Sequence, residues 1–473
     1  MRKPTLLVGL VLLINSHVSG LAAELTASQK QWLARAERHE KAGWIYLHID
    51  GAPRERGFQH GYLLATEIAE AIRVTAAQWE HESSFDWAWL KRKTNGFISR
   101  GVDPENRAEM TGIVEGMNAA GVSTTYDDIL AFNASIETTG YWWPEAKKKI
   151  DGSATSITKP KEACSSFIAT GKMTKDGGVV LAHNMMWDYT EAYFNVIIDI
   201  VPAKGHRILM QTVPGWIHSG TDFFVTDAGL VGSETTIGGF HGFTEKGIPE
   251  FIRVRRAMQD AGSIDEWCNI MKKGNNGGYA NAWLLGDINS KEIARLELGL
   301  KYTGFERTRD GYFLGSNIAE NLKVLRLETD TRDTDIRLSS VARRVRWKQL
   351  MKGNAGQIDL AKAKEMEADC YDTCYGTDGT PAALALNARG DLAAQLSNPS
   401  RIPFNPAGTI DAKVVDTAMA RQMSFAARWG SADGTPFDAE KFLADHPQFD
   451  WMQGVLKSRP AQPWVEFTAG EKE

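Results

Sequence analysis

The chain has 473 residues, 43% of them hydrophobic and 24% charged, which is ample for a large core and, as a soft prior, for two or three domains. Against 59 Asp and Glu stand 54 Lys and Arg, for a net charge of −5, and no basic tract tracks a phosphate backbone, so nucleic acid is not an expected partner. Beyond the N-terminus no stretch approaches the roughly 18 uncharged apolar residues of a membrane span, so no transmembrane segment is expected in the mature chain.

The chain starts Met1-Arg2-Lys3-Pro4, followed by an apolar stretch from Thr5 to Ile14 and small residues around Ala22 and Ala23. A basic start, a short apolar middle and a small-residue end read as a secretory signal over residues 1–23, with an uncleaved anchor as the alternative. The expected location is therefore secreted or periplasmic. Loss of Arg2 and Lys3 with the signal takes the net charge from −5 to −7.

Residues 24–163 read as a mainly helical segment. Thr26 or Ser28 caps a helix running toward Lys41, and Glu55 to Glu82 carries Leu63, Ile68, Ile72 and Trp79 at helical spacing. Asp103-Pro104 is a helix start, with Asp as cap and Pro in the first turn, and Thr125 to Ala134 is another helix. From Tyr141 the character changes through Trp142-Trp143-Pro144 and the lysines 147–149 to a Ser/Thr/Gly/Lys-rich stretch, Asp151 to Lys161, expected as an exposed linker ending at Ala163.

Strand patterns follow. Ser165 to Ala169 and Val179 to Ala182 flank Lys175-Asp176-Gly177-Gly178, whose Asp-Gly pair signals a hairpin. Further strands are expected at Phe194–Val201, Arg207–Thr212, Phe223–Thr226, Leu230–Thr236, Ala282–Leu285 and Glu292–Leu298. Helices are expected at Pro249–Asp260, Ile264–Lys272, Ser339–Met351 and Leu360–Glu367. Sheets flanked by helices predict an α+β layered sandwich, with residues 164–473 forming one globular unit with the segment before them.

Four cysteines in an exported chain invite pairing. Cys370 and Cys374 are close enough for a disulfide in a tight loop; a Cys-x3-Cys pair could also begin a zinc site, but no second pair and no His-x3-5-His follows. Cys268, in a helical run, reads as a small buried hydrophobe. Cys164 has no structural role of this kind.

A thiol attacks a carbonyl as the thiolate and needs a base. If the Ala163-Cys164 bond were cut, Cys164 would carry both a nucleophile and, in its α-amine with a pKa of roughly 7.7–8.0, its own base. Getting there means attack of the thiol on the Ala163 carbonyl, an N-to-S acyl shift, and release by water. A small residue at 163 leaves room for that attack.

The landmarks that follow resemble the phospholipase B-like family of N-terminal-nucleophile hydrolases. Cys164-Ser165-Ser166-Phe167-Ile168 is similar to the family's start of the large chain, and Leu181-Ala182-His183-Asn184 with Trp187 to its Val-Ala-His-Asn segment. Gly229-Leu230-Val231 leading to Glu234-Thr235-Thr236-Ile237-Gly238, and Tyr279-Ala280-Asn281-Ala282-Trp283 with Asp287, match two more. Asn387-Ala388-Arg389-Gly390-Asp391, Gly408-Thr409-Ile410-Asp411-Ala412-Lys413 and the Cys370/Cys374 pair complete the collinear order, which spans most of Cys164 to Ala420.

The resemblance implies a four-layer αββα sandwich, self-cleavage between Ala163 and Cys164, and hydrolysis of acyl ester or amide bonds of lipids through a thioester, with no metal or organic cofactor required. It implies that Asn281 donates to the oxyanion, with a strand-edge amide as the alternative, and that His183 orients the amine or a substrate group, unless it is a hydrogen-bonded structural imidazole. Thr235, Thr236 and Trp187 would support the pocket. Arg389 would bind a substrate anion, or form a buried ion pair with an Asp. The related penicillin and bile-acid acylases show Arg and Asp three apart where this chain has His183-Asn184-Met185-Met186, which favours the phospholipase B-like branch, and Ala280 stands where the family usually has Asn. A penicillin-acylase-like amidase or acyltransferase, and a non-catalytic acyl-lipid-binding protein, are the alternatives. The partner is an acyl lipid or N-acyl small molecule; the oligomeric state is left open.

No Gly-x-Ser-x-Gly elbow, His-Glu-x-x-His motif or phosphate loop is found. Asn133-Ala134-Ser135 fits the sugar-acceptor pattern, and Gly274-Asn275-Asn276-Gly277-Gly278 reads as a loop near the site.

Overall fold

A computed structural model describes residues 24–152, 164–191, 193–377, 383–394 and 402–472. The expected signal segment, most of the expected linker and Ala163 lie outside the described residues.

Among those residues the strands are, in chain order, β1 (Glu37–Lys41), β2 (Trp44–Gly51), β3 (Ser165–Thr170), β4 (Val180–Asp188), β5 (Val196–Pro202), β6 (Ile208–Thr212), β7 (Phe223–Thr226), β8 (Leu230–Thr236), β9 (Asn281–Asp287), β10 (Glu292–Leu298), β11 (Thr303–Thr308), β12 (Gly311–Gly315), β13 (Ala407–Asp416), β14 (Ser424–Trp429) and β15 (Val465–Thr468). They form a nine-stranded sheet, β1-β2-β5-β6-β7-β8-β9-β10-β11, and a six-stranded sheet, β12-β3-β4-β13-β14-β15. The β2–β5 pair is parallel.

The pleat explains how the layers stack. Successive side chains of a strand point to opposite faces. In β2, Trp44 and Tyr46 enter the cluster shared with the smaller sheet, while Ile45, Leu47 and Ile49 enter a second cluster with the helices. β6 and β7 divide in the same way, Leu209, Phe223 and Val225 on one side, Ile208, Met210 and Phe224 on the other. The helices Pro53–Leu63, Pro104–Ala119, Glu250–Asp260 and Ile264–Lys272 cover the outer face of the larger sheet. Ser339–Gly353 and Leu360–Glu367 cover that of the smaller one, where Trp347 packs edge-on against Phe167. The architecture is the expected four-layer αββα sandwich.

Two helices of the outer layer touch through backbone. Gly57 and Gly61 face Gly112 and Gly116, so close that a Cβ on Gly57 or Gly61 would lie 2.0 Å from the carbonyl oxygen of Glu109 or Ile113. Beside this seam the buried guanidinium of Arg56 donates to Glu109, which also accepts from Arg255 of the helix Glu250–Asp260.

Several expectations need correction. The N-terminal segment carries two strands not expected from its pattern, β1 and β2, which form the edge of the larger sheet. The helix expected from Thr26 toward Lys41 ends at Leu33, and the one expected over Glu55–Glu82 breaks at Leu64. Cys370 and Cys374 form no disulfide: Cys370 Sγ contacts the carbonyls of Ala368 and Asn387, and the Cys374 amide donates to Asp372 in a turn closed by Asp372 and Thr377. Asn133 is buried, its amide donating to Ile129 and Gly215 and accepting from Ile217, which removes it as a sugar acceptor. No helix among the described residues is long and apolar enough to cross a membrane.

Candidate active site

Cys164 stands immediately before β3, fully buried, with φ of +95°. A side chain rarely adopts that conformation without support from its surroundings. The support is Arg343, from the helix Ser339–Gly353, whose Nη1 donates to the Cys164 carbonyl while Nη2 donates to Asn317 Oδ1 and Nε to Ser339. Trp347, one helical turn on, donates to Ser165 Oγ at 2.8 Å. The first residues of β3 are thus fixed from the outer face of the smaller sheet.

On the other face the thiol meets the larger sheet. Cys164 Sγ lies 3.7 Å from Asp222 Oδ2 and 3.4 Å from Met185 Sδ. The β3–β4 register, Ser165 with Asn184 and Ser166 with His183, puts His183 and Met185 on the same face as Cys164. The sulfur, a ring nitrogen of His183 and a carboxylate oxygen of Asp222 all lie within 4.8 Å of one another. Ser166 ties the two sheets through Ser233 Oγ at 2.7 Å.

The electrostatics of this pocket follow from its burial. Burial, then the nearby Asp222 and Glu234, pushes the Cys164 thiol well up, so in the uncut chain it is protonated. Asp222 and Glu234 are both raised, by burial first, and hydrogen-bond to each other, an arrangement two carboxyls can hold by sharing one proton. Tyr279 donates to Glu234 Oε2 at 2.8 Å and stands 2.9 Å from Thr236 Oγ1. His183 is held neutral by burial and then by Lys413; its Nε2 lies 3.1 Å from the Glu234 carbonyl, which fixes the proton there, and Nδ1 has no hydrogen-bond partner.

Around this centre lie two further buried polar groups. Lys413, paired with His183 across β13 and β4, binds Asp411 Oδ1, Gln211 and the Thr221 carbonyl just before Asp222. On the helix side of the larger sheet, Asn281 Nδ2 donates to Glu250 Oε1 at 3.2 Å, and Glu137 accepts from the Glu250 and Phe251 amides. Burial raises Glu250 to about 8 and Glu137 to about 7.

The structure therefore brings His183 to Cys164 but sets the other expected residues further out. Asn281 faces Glu250 on the helix side. Thr235 projects between the sheets against Gly315, and Thr236 joins Tyr279. Trp187, half-buried near the end of β4, packs near Phe194. Arg389 is the buried ion pair: it chelates Asp391, which accepts Tyr189 Oη at 2.9 Å. It also bridges to Gly408 opposite Trp187, four residues along β4 from His183 and so about 13 Å away. Asp222, Glu234, Tyr279, Glu250, Lys413 and Arg343 carry no expected role from the motifs. The available signal is a charged residue in the middle of a buried stretch of strand, as at Glu234 and Lys413.

Comparison with known proteins bears out the resemblance. Residues 106–300, which bracket Cys164, match the family model for Phospholipase B. An uncharacterized protein of Archaeoglobus fulgidus is 26% identical over 262 residues, 53% of this chain and 42% of its own length. The phospholipase B-like protein C of Dictyostelium discoideum is 24% identical over 355 residues, 64% of this chain and 58% of its own. The chain thus spans about half the length of these relatives. Among solved structures, a mutant of the conjugated bile acid hydrolase from Clostridium perfringens is similar, with 11% identity, a TM-score of 0.35, and coverage of 56% of this chain and 89% of its own.

Proposed function

We propose that this chain is an exported, self-cleaving cysteine hydrolase of acyl ester or amide bonds. The observation that carries this is the contact of Cys164 Sγ with Asp222 Oδ2 at a strained backbone position just after the expected scissile bond. In the uncut chain no α-amine exists at residue 164, so its thiol needs another base. Asp222, as the carboxylate of its pair with Glu234, takes the thiol proton, and the thiolate attacks the preceding carbonyl. The N-to-S shift moves the acyl group to sulfur and the proton to the departing nitrogen; water then releases the preceding chain and leaves Cys164 with a free amine.

In turnover that amine replaces Asp222 as the base. The thiolate forms a thioester with the substrate acyl group, the alcohol or amine leaves with a proton, and water resolves the thioester. Asn281, whose Nδ2 donates to Glu250 on the helix side of the larger sheet, does not face the thiol and is given no part in this step. His183, neutral, accepts rather than donates at Nδ1, which suits it to orient the amine.

The test is intact-mass analysis of purified chain beside a Cys164→Ala variant, with release of fatty acid from a phospholipid and from an N-acyl amide followed in parallel. Two pieces meeting at Ala163/Cys164 in the native chain and one piece, inactive, in the variant are expected. An uncut native chain that still hydrolyses either substrate overturns self-cleavage, an active Cys164→Ala variant overturns Cys164 as the nucleophile, and a native chain that hydrolyses neither substrate overturns the hydrolase.

A further inference from the structure

We infer that the Cys164, His183 and Asp222 side chains also form a binding site for a zinc-class metal ion that would block the nucleophile. Three donors of the right kinds already converge, within 4.8 Å of one another and all buried. The 3.7 Å between the sulfur and the carboxylate oxygen is close to the edge of a tetrahedron built from a Zn–S bond of about 2.3 Å and a Zn–O bond of about 2.0 Å.

The imidazole is the independent sign. A metal-binding histidine commonly gives its second ring N–H to a carbonyl or carboxylate, which fixes the tautomer and turns the lone pair to the metal. In His183, Nε2 lies 3.1 Å from the Glu234 carbonyl and Nδ1 is buried without a hydrogen-bond partner, which leaves Nδ1 as the ring nitrogen free to take an ion. The Met185 thioether 3.4 Å from the thiol makes the pocket soft, which suits zinc and disfavours magnesium or calcium. The thiolate and carboxylate together neutralise a divalent ion; Lys413 opposes it and Glu234 assists.

The inference rests on the self-cleavage reading for access and for completion of the site. Once the bond before Cys164 is cut, its α-amine and thiolate chelate one ion together, supplying a fourth donor. Binding expels the thiol proton and the proton of the Asp222/Glu234 pair to solvent, so affinity rises with pH. The regulatory consequence is plain: the same sulfur cannot hold zinc and attack a carbonyl.

Cobalt is the spectroscopic probe, because a thiolate bound to Co2+ gives a near-ultraviolet charge-transfer band. Full chain freed of metal with a chelator is titrated with Co2+ and, by calorimetry, with Zn2+, beside Cys164→Ser, His183→Ala and Asp222→Asn variants whose near-ultraviolet dichroism matches the parent. A one-equivalent band that zinc displaces and Cys164→Ser abolishes is expected, with His183→Ala and Asp222→Asn weakening zinc by at least the roughly 10–100-fold that loss of an outer-shell partner costs. A band of equal amplitude in Cys164→Ser, or none in the folded parent, overturns the site. The readout needs no turnover: a chain that binds cobalt through Cys164 but hydrolyses nothing keeps the site and overturns the hydrolase, and one that hydrolyses acyl substrates without a thiolate band does the reverse.

Discussion

Arg343 Nη1 donates to the main-chain carbonyl of Cys164, so a buried guanidinium on one helix holds the conformation of the residue on which the site depends. The same guanidinium reaches Asn317, which is also in the left-handed region, at φ +67°. One side chain therefore supports two costly backbone positions, and it does so from the face of the sheet opposite the thiol.

Arg343→Met keeps the apolar stem and removes the fork. It leaves the Cys164 carbonyl and Asn317 Oδ1 without this buried donor, at about 1–3 kcal/mol each. Urea denaturation should show a loss of about 3 kcal/mol, and cleavage before Cys164 should slow as its φ relaxes. Unchanged stability would mean that other donors replace the guanidinium.

Asp222→Asn should leave folding near normal and slow self-cleavage by roughly 100-fold or more, the scale of losing a positioned base. The amide preserves shape but cannot take the thiol proton. The fraction of cut chain against time on a denaturing gel, started from freshly synthesised protein, measures it. Once the cut is complete, turnover should suffer less, because the α-amine of Cys164 is then the base. Equal loss in both steps would place Asp222 in substrate chemistry instead.

How far these features are readable from the sequence depends on what sets them. The strands Phe223–Thr226, Leu230–Thr236 and Glu292–Leu298 and the helices Ile264–Lys272 and Leu360–Glu367 match their expected limits, since local periodicity and caps determine them. β1 is hidden because Glu37, Arg38, Glu40 and Lys41 make a charged edge strand, a pattern that protects an edge yet does not look like a strand. Cys164 and His183 emerge through ordered motifs. Asp222 does not, because its place against the thiol comes from a left-handed turn on one sheet meeting the first residue of a strand on the other. Arg389 looks like a site residue in sequence, but its nearest acid, two positions on, is its partner.

The Glu250 carboxyl predicts a pH effect with a definite sign. Burial raises it from 4.5 to about 8, with Glu137 and Asp222 adding to the rise. Between those values the folded chain keeps a proton that the unfolded chain has lost, so this contribution is full below about pH 4.5 and gone above about pH 8. Glu250→Gln, isosteric with the protonated acid, should match the parent at about pH 5 and exceed it at about pH 9 by a few kcal/mol, at about 1.4 kcal/mol per unit. Parallel thermal melts across that range decide it. Buried His218, lowered to about 3, acts in the opposite sense below pH 6.5 and is common to both proteins.

The glycine seam between the helices Pro53–Leu63 and Pro104–Ala119 predicts a large effect from one methyl group. Gly57 and Gly61, like Gly112 and Gly116, stand four apart, so each pair lies on one helix face and the two backbones meet there. Gly61→Ala gains helix propensity of about 1 kcal/mol. Its Cβ, however, would sit 2.0 Å from the Ile113 carbonyl oxygen and 2.7 Å from that carbonyl carbon, which are backbone atoms with no rotamer to yield. The helices must separate, loosening the ion pairs of Arg56 and Arg255 with Glu109 that lie beside the seam. Overpacking of this kind costs about 1–3 kcal/mol and occasionally more, so the net change should be destabilising. Gly96→Ala, in the helix Trp87–Ile98 with open space where its Cβ would go, is the control and should stabilise slightly. A Gly61→Ala protein as stable as Gly96→Ala would show that the two helices do not touch along this face.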